Sequence, residues 1–352
     1  MANRGSHVKR ILVAGLGLIG SRHVQAVLDH PGAVLAGVVD PDASLRSVYD
    51  VPGFADLSDV DVAVDGAILA TPSALHADHA EICLARGWPC LIEKPIEVDL
   101  AGADRIVAAS AASGLPVLTG HHRRYHASVQ RLREIVRGGT IGQPVLATGI
   151  WAVRKPDEYF VGNWRAGTSG SPVMINMVHD IDLLRFVLGE VSEVAAMGAQ
   201  PIRGAGRVES GIISLRFENG ALASMSFADS APSPWGFESA TRENPNIGAT
   251  GQDCLWISCS KGAVSFPSLT VWSGSSDWSQ APTPQCEDVP QTHALTAQLT
   301  HFLDVLDGAT PLIDANDARR TLAVTLEVET QIGVFENAAS LGCGAGAVHE
   351  IG

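Results

Sequence analysis

The stretch Ile11-Leu12-Val13-Ala14-Gly15-Leu16-Gly17-Leu18-Ile19-Gly20 decides the fold. Four aliphatic residues in a row suit a strand covered on both faces, and a helix is expected to open at Ile19 directly after the glycines. The glycines have separate tasks: a tight turn, a bare backbone that lets a pyrophosphate approach the helix N-terminus, and close packing of helix on strand. Asp40 lies twenty residues past Gly20, at the end of the next aliphatic run. A carboxylate there accepts hydrogen bonds from the ribose hydroxyls of a dinucleotide. Asp40-Pro41 is also a turn initiator, and the two roles are compatible. This carboxylate would repel a ribose phosphate, so NAD is expected over NADP, with Arg22 and Arg46 as the residues that would reverse the preference.

Outward from this unit, short aliphatic runs alternate with alanine-rich amphipathic stretches to about Gly120, the rhythm of βαβ units. Strands are expected at 11–14, 34–39, 67–70, 89–92 and 116–119, and helices at 19–28, 75–85 and 100–113. This predicts an α/β chain with an N-terminal doubly wound parallel sheet over 8–122. Past His121-His122-Arg123-Arg124 a basic amphipathic helix is expected at 126–137. The strands then alternate apolar and polar residues, as in 211–217 and 221–227, joined by a tight hairpin at Asn219-Gly220. Residues 229–250, rich in Pro, Ser, Gly and Asn, read as a long surface loop, and Trp235 within it as a cover for a crevice. Helices near 292–306 and 316–335 close a second, α+β domain over 123–352 and can pack back on the first.

Composition excludes several classes. The chain has 352 residues, 46% hydrophobic and 18% charged, enough for two cored domains and too apolar for disorder. Lysine and arginine total 24 against 38 acids, a formal charge of −14, so nucleic acid is not an expected partner. Six cysteines without a C-x-x-C pair fit reduced thiols rather than a disulfide scaffold, and a cytoplasmic location is expected. No apolar run reaches the roughly 18 residues of a membrane span. Arg4, Lys9 and Arg10 ahead of an apolar run imitate an export signal, but three glycines interrupt that run and no small-residue cleavage pattern follows. Residues 1–7 read as a leader outside the fold.

Two further constellations carry chemistry. Glu93-Lys94-Pro95 follows a buried strand at the sheet edge, where doubly wound folds place their ligand crevice. The chain holds four lysines against twenty arginines, so Lys94 stands out as a cation whose pKa moves readily on partial burial, although a surface lysine in a loop is the plainer alternative. Pro172 to Leu188 reads as one helix, with Ser171 as N-cap and Gly189 as terminator. Asn176, His179 and Asp182 recur every third residue and so share a face. His179 is a candidate base with its tautomer fixed by those neighbours, or a buried structural histidine. His179, Asp180 and Asp182 fall short of a metal site, and no G-x-S-x-G elbow suggests a hydrolase. Trp151, Arg154, Lys155, Tyr159, Trp164 and Arg165 combine aromatic faces with cationic donors, as a polyol pocket requires, or are ordinary packing residues.

Together, Gly15-x-Gly17-x-x-Gly20, Thr71-Pro72 followed by His76, Glu93-Lys94-Pro95, Gly120-His121-His122-Arg123-Arg124-Tyr125 and His179-Asp180-Ile181-Asp182-Leu183-Leu184-Arg185 resemble the Gfo/Idh/MocA oxidoreductases. The resemblance implies an N-terminal Rossmann domain and a C-terminal α+β domain whose open, largely antiparallel sheet makes a homodimer or homotetramer. It implies NAD, with NADP as the alternative, held by Gly15, Gly17, Leu18, Ile19, Gly20, Asp40, Thr71, Pro72, His76, Glu93 and Lys94. The substrate implied is a small polyol or glycoside in contact with Lys94, Tyr125, Lys155, Trp164, Arg165, Asn176, His179 and Asp182. Lys94 and His179 are the implied catalytic pair, and the peptide before Pro95 is commonly cis in such enzymes. One departure stands out: inositol dehydrogenase-like members carry an aspartate where this chain has Ile175. The expected activity is hydride transfer between a nicotinamide and a secondary hydroxyl of a sugar, cyclitol or related polyol. The alternatives are an NAD-retaining glycosidase acting by transient oxidation and a non-catalytic NAD-binding sensor.

Overall fold

The chain, described here by a computed structural model over residues 8–161, 170–199, 201–203, 207–290 and 292–340, divides into two units. The first comprises residues up to Thr140 together with Val178–Leu188 and Gln285–Ala323. The second comprises Ile141–Met177, Gly189–Pro284 and Val324 onward. The position 122/123 therefore falls inside the first unit.

In the first unit, β1 (Lys9–Ala14), β2 (Ala33–Val39), β3 (Gly53–Phe54), β4 (Gly66–Leu69), β5 (Cys90–Ile92) and β6 (Val117–Thr119) form a sheet of order β3-β2-β1-β4-β5-β6. Every described pairing in it is parallel. Helices α1 (Leu18–Asp29), α2 (Ala43–Arg46), α3 (His76–Ala85) and α4 (Leu100–Ser113) connect the strands, and α5 (Ala127–Arg137) follows. The aliphatic strands are buried because such crossovers cover both faces. The two-residue β3 escapes a periodicity reading, but Asp40 N–H donates to the Phe54 carbonyl at 3.1 Å and fixes it beside β2. A helix from the C-terminal third completes the core: Leu299 and Phe302 pack with Val13, Val24, Ile68 and Leu91.

The segment expected as one helix over 172–188 is a π turn, Val173–Met177, leading into α6, Val178–Leu188. The π turn shifts the phase, so Asn176 does not simply continue the spacing of His179 and Asp182. Nor does α6 bury only a stripe: all eleven of its residues are buried, including Asp180, Asp182 and Arg185. Charges in such a place need partners. The Arg124 guanidinium forks onto Asp182, with Nε and Nη2 at 2.8 and 2.7 Å from its two oxygens. Thr321 Oγ1 donates to the same carboxylate at 2.8 Å, Arg185 donates to Asp317, and Arg123 lies 3.0 Å from Asp180.

The second unit holds an eight-stranded sheet of β7 (Pro144–Ala152), β8 (Val191–Gly198), β9 (Ser210–Phe217), β10 (Leu222–Ala228), β11 (Leu255–Cys259), β12 (Gly262–Phe266), β13 (Thr270–Ser273) and β14 (Thr283–Cys286). It is mostly antiparallel, with β7 and β10 parallel. The β9–β10 turn sets Gly220 at φ +87°. Residues 229–250 are not simply a surface loop: Asp229 is fully buried, and α7 (Phe237–Thr241) sinks Phe237 into the core, stacked on Phe266. The ring and the buried carboxylate anchor a segment whose composition alone reads as solvent-facing. Helices α8 (Ala294–Leu306) and α9 (Ala315–Ser340) end the described chain. Among the described residues no helix is long and apolar enough to cross a membrane.

The ion cluster on α6 predicts an acid-sensitive fold. Burial raises the Asp182 pKa, but Arg124, His121 and the Thr321 hydroxyl outweigh it and hold the group at about 2. A depressed carboxylate contributes stability that is complete above the usual carboxylate range and lost as pH falls through its folded value. Urea unfolding midpoints are expected to drop between about pH 4 and about pH 2, with this group contributing roughly 2 kcal/mol. Asp182→Asn is expected to cost about 3–5 kcal/mol at neutral pH by stranding Arg124 and to flatten that acid limb. Wild-type midpoints and an unchanged limb in the variant would remove the cluster from the account.

Candidate active site

At the C-terminal end of β1 the chain turns at Gly15, whose φ is +86° and where a Cβ would stand 2.4 Å from the Ala70 carbonyl oxygen. At Gly20 a Cβ would meet the Gly15 carbonyl oxygen at 1.8 Å, so α1 can lie this close to the turn only with glycine there. Gly17 is different, because nothing lies within 4 Å of the position its Cβ would take. It caps α1 with no side-chain hydrogen bond, Leu18 beside it is exposed and Ile19 is half-buried. An open helix N-terminus over bare backbone is the donor set that a pyrophosphate fits. Asp40 accepts from Leu16 N–H at 2.8 Å and from Asp42 N–H at 2.9 Å, so its carboxylate also anchors the glycine turn to the end of β2. Arg46 donates to the Asp40 carbonyl oxygen. These residues fit a dinucleotide of the NAD type.

Glu93, at the end of β5, is buried rather than presented to a ligand. His23 of α1 lies 2.7 Å from its Oε1, and Lys94 N–H donates to its Oε2 at 3.1 Å. Burial raises the Glu93 pKa, but the His23 hydrogen bond and the nearby charges of His23, His122 and Lys94 bring it down to about 2. Its carboxylate also fills the space over Gly120, where a Cβ would come within 3.0 Å. The Lys94-Pro95 peptide is cis, and Lys94 is half-buried. His76 is a correction to the cofactor set. It is fully buried, with Nε2 3.0 Å from the Thr71 carbonyl oxygen and Nδ1 3.1 Å from that of Pro95, so it ties two loops together and has no face left for a ligand. Thr71 is half-buried with Oγ1 2.9 Å from His79 Nδ1, and Pro72 is exposed.

The same unit brings a cluster of bases and cations around His179. Its ring meets that of His122 edge-on at 5.0 Å between centroids and that of His121 at 6.2 Å. Burial, then the charges of Lys94, Arg123, His122 and His121, hold the His179 pKa well below its ordinary value. His121, 3.7 Å from Asp182, is pushed down to about 4 by burial. At neutral pH His179 is therefore an uncharged imidazole that feels the Lys94 charge and is able to accept a proton. Among the described residues no three His, Cys, Asp or Glu side chains group as metal ligands.

Several expected substrate contacts lie elsewhere. Asp182 is committed to Arg124 and Thr321, which the burial of α6 demands. Tyr125 is buried with its ring 5.5 Å from that of His301. In the second unit the Lys155 ammonium is buried over the Trp151 and Tyr159 rings, 3.9 Å from an Asp229 carboxylate that also takes Arg203 and Arg207. Asn176, on the π turn, keeps a buried Oδ1 without a hydrogen-bond partner among the described residues. Trp164 and Arg165 lie outside the described residues. Sequence reasoning missed His23, His122 and the pairing of Arg123 and Arg124 with Asp180 and Asp182. A usable signal existed for the last: two acids within the mostly apolar 177–188, which holds one arginine of its own, require further cations, and adjacent arginines stand at 123 and 124.

Comparison with known proteins agrees with this fold. Residues 9–121 match the family model described as oxidoreductase family, NAD-binding Rossmann fold, and residues 129–265 match the GFO/IDH/MocA C-terminal domain. The chain is similar to myo-inositol 2-dehydrogenase of Thermotoga maritima, 29% identical over 60% of this chain and 66% of that protein. It is also similar to 1,5-anhydro-D-fructose reductase of Ensifer adhaerens, 31% identical over 51% of this chain and 53% of that protein. The matched stretch thus spans less than two thirds of these relatives' lengths. In fold it resembles an oxidoreductase from Agrobacterium radiobacter solved with NAD+, L-tartaric acid and magnesium, with a TM-score of 0.78, 16% identity and coverage of 93% and 96% of the two chains. With both of its domains matched in order around the glycine turn and the Lys94 loop, the chain belongs to the Gfo/Idh/MocA oxidoreductase family.

Proposed function

We propose that this protein is an NAD-dependent dehydrogenase that exchanges a hydride with a secondary hydroxyl, or the matching ketone, of a sugar, cyclitol or related polyol. The observation that carries the reading is the buried His179 ring, packed edge-on against His122 at 5.0 Å in the unit that also holds Lys94 and the open glycine turn, with burial and the Lys94 charge favouring the neutral imidazole. Bound nicotinamide supplies the redox chemistry; the protein's task is positioning and proton movement. In the oxidative direction the His179 imidazole accepts the hydroxyl proton, and Lys94 donates a hydrogen bond to the same oxygen, favouring its deprotonated form. Glu93, fixed by His23, holds the backbone of Lys94 in place. The Asp40 carboxylate favours NAD over NADP. The named activities of the two curated relatives support this substrate class.

The sheet of the second unit presents a shallow concave face lined by Leu146, Thr148, Ser214, Leu222 and Ser224, with an Arg216–Glu193 ion pair beside them. A face carrying apolar groups and both signs of charge offers the groups from which an isologous contact is built. We assign it to a second copy of the chain, in a homodimer or homotetramer.

A panel of polyols, inositols and glycosides incubated with NAD and, separately, NADP is expected to accumulate reduced cofactor with NAD and at least one polyol. Lys94→Ala and His179→Ala should each lose about 10²–10⁴ in turnover while still binding NAD by calorimetry. Glycoside cleavage without accumulation favours the transient-oxidation reading, and wild-type-like turnover in either variant refutes the assignment. By light scattering, the wild-type protein is expected as an oligomer that Leu146→Glu with Ser224→Glu dissociates. A monomeric wild type contradicts the assignment of the face.

A further inference from the structure

A base that accepts a proton in a buried place must also lose it. His179 is 7% exposed, and its Nδ1 has no hydrogen-bond partner among the described residues. Its flanking carboxylates are engaged elsewhere, Asp180 with Arg123 and Asp182 with Arg124 and Thr321. Ile175, one turn earlier in the chain, has no proton acceptor. The cations that face His179, Lys94 and Arg123, repel rather than accept a proton. His121 touches the ring but is 2% exposed. His122 also neighbours His179: its ring meets that of His179 at 5.0 Å, it is half-buried, and its charge acts on Glu93 as well.

We propose that His122 is a positioning residue that connects His179 to solvent, taking the proton from the His179 imidazolium and releasing it to water or buffer. In each oxidative turnover the hydroxyl O–H bond breaks and a His179 N–H bond forms. His179 then returns to neutral imidazole as a neutral His122 nitrogen gains a proton, and His122 passes one proton to solvent. The reverse order supplies the proton for ketone reduction. No side chain other than these two rings is needed, and no redox change falls on either. The inference rests on the reading of His179 as the base.

The first test needs neither cofactor nor substrate. With isotopically labelled histidine, exchange of the His179 ring N–H with water is expected to slow about tenfold or more in His122→Phe, which keeps a ring against His179 but removes the acceptor. Added imidazole should restore it. The second uses the fastest polyol of the panel. In weak buffer His122→Phe should lose kcat by about tenfold or more with KM little changed, and imidazole should rescue it saturably. His122→Gln, which is smaller and polar, should behave alike if His122→Phe folds poorly. Loss of kcat without imidazole rescue, or unchanged exchange and kcat in both variants, overturns the relay. His179→Ala inactive with His122→Phe at full rate removes the relay alone, whereas His179→Ala at full rate removes the reading of His179 itself.

Discussion

The forked contact of Arg124 with Asp182 is the constraint on which the active-site cluster depends. Its two hydrogen bonds, 2.8 and 2.7 Å long, join the segment that leaves β6 to a helix buried along its whole length. Apolar packing would fix that helix only loosely in rotation and translation, whereas a bidentate guanidinium sets both. Because His122 precedes Arg124 by two residues and His179 precedes Asp182 by three, the fork also decides that the two imidazoles meet. Thr321 donates to the carboxylate and Asp317 takes Nη1 of Arg124, so both charges are satisfied and the cost of burying them is offset.

The electrostatics around His179 follow from that placement. Opposite charges would stabilise an imidazolium there, but the groups facing the ring are Lys94, Arg123 and two further histidines. Burial disfavours the imidazolium first, and the like charges nearby disfavour it further, so the ring stays neutral at physiological pH. A neutral imidazole beside a held ammonium suits proton abstraction from an alcohol, because the ammonium stabilises the oxygen that the base leaves negative. Glu93 is a carboxylate by the same logic: His23 and the cations nearby keep it ionised although it is buried.

Much of the fold was legible because its physical causes are local. The aliphatic runs at 11–14 and 34–39, the glycine turn and the caps at Gly87 and Gly114 depend on neighbours in the sequence. What was hidden is what long-range pairing decides. His76 looked like a ligand contact because its loop does face that end of the sheet, yet its ring is spent on carbonyls from two loops. Lys155 looked like an open donor until Asp229, far along the chain, drew it inward. The single helix expected over 172–188 broke into a π turn and an α-helix, and apolar spacing cannot distinguish the two over five residues. The segment 229–250 misled for the opposite reason: its polar composition concealed one ring and one carboxylate that anchor it.

Titration of the His179 ring, followed by nuclear magnetic resonance of the isotopically labelled protein with each histidine assigned by substitution, tests the central claim most directly. The ring is expected to stay neutral throughout the physiological range and to gain its proton only well below the ordinary histidine value, rising toward that value in Lys94→Met. A His179 that is already protonated at neutral pH, or that ignores the loss of the Lys94 charge, would contradict the account.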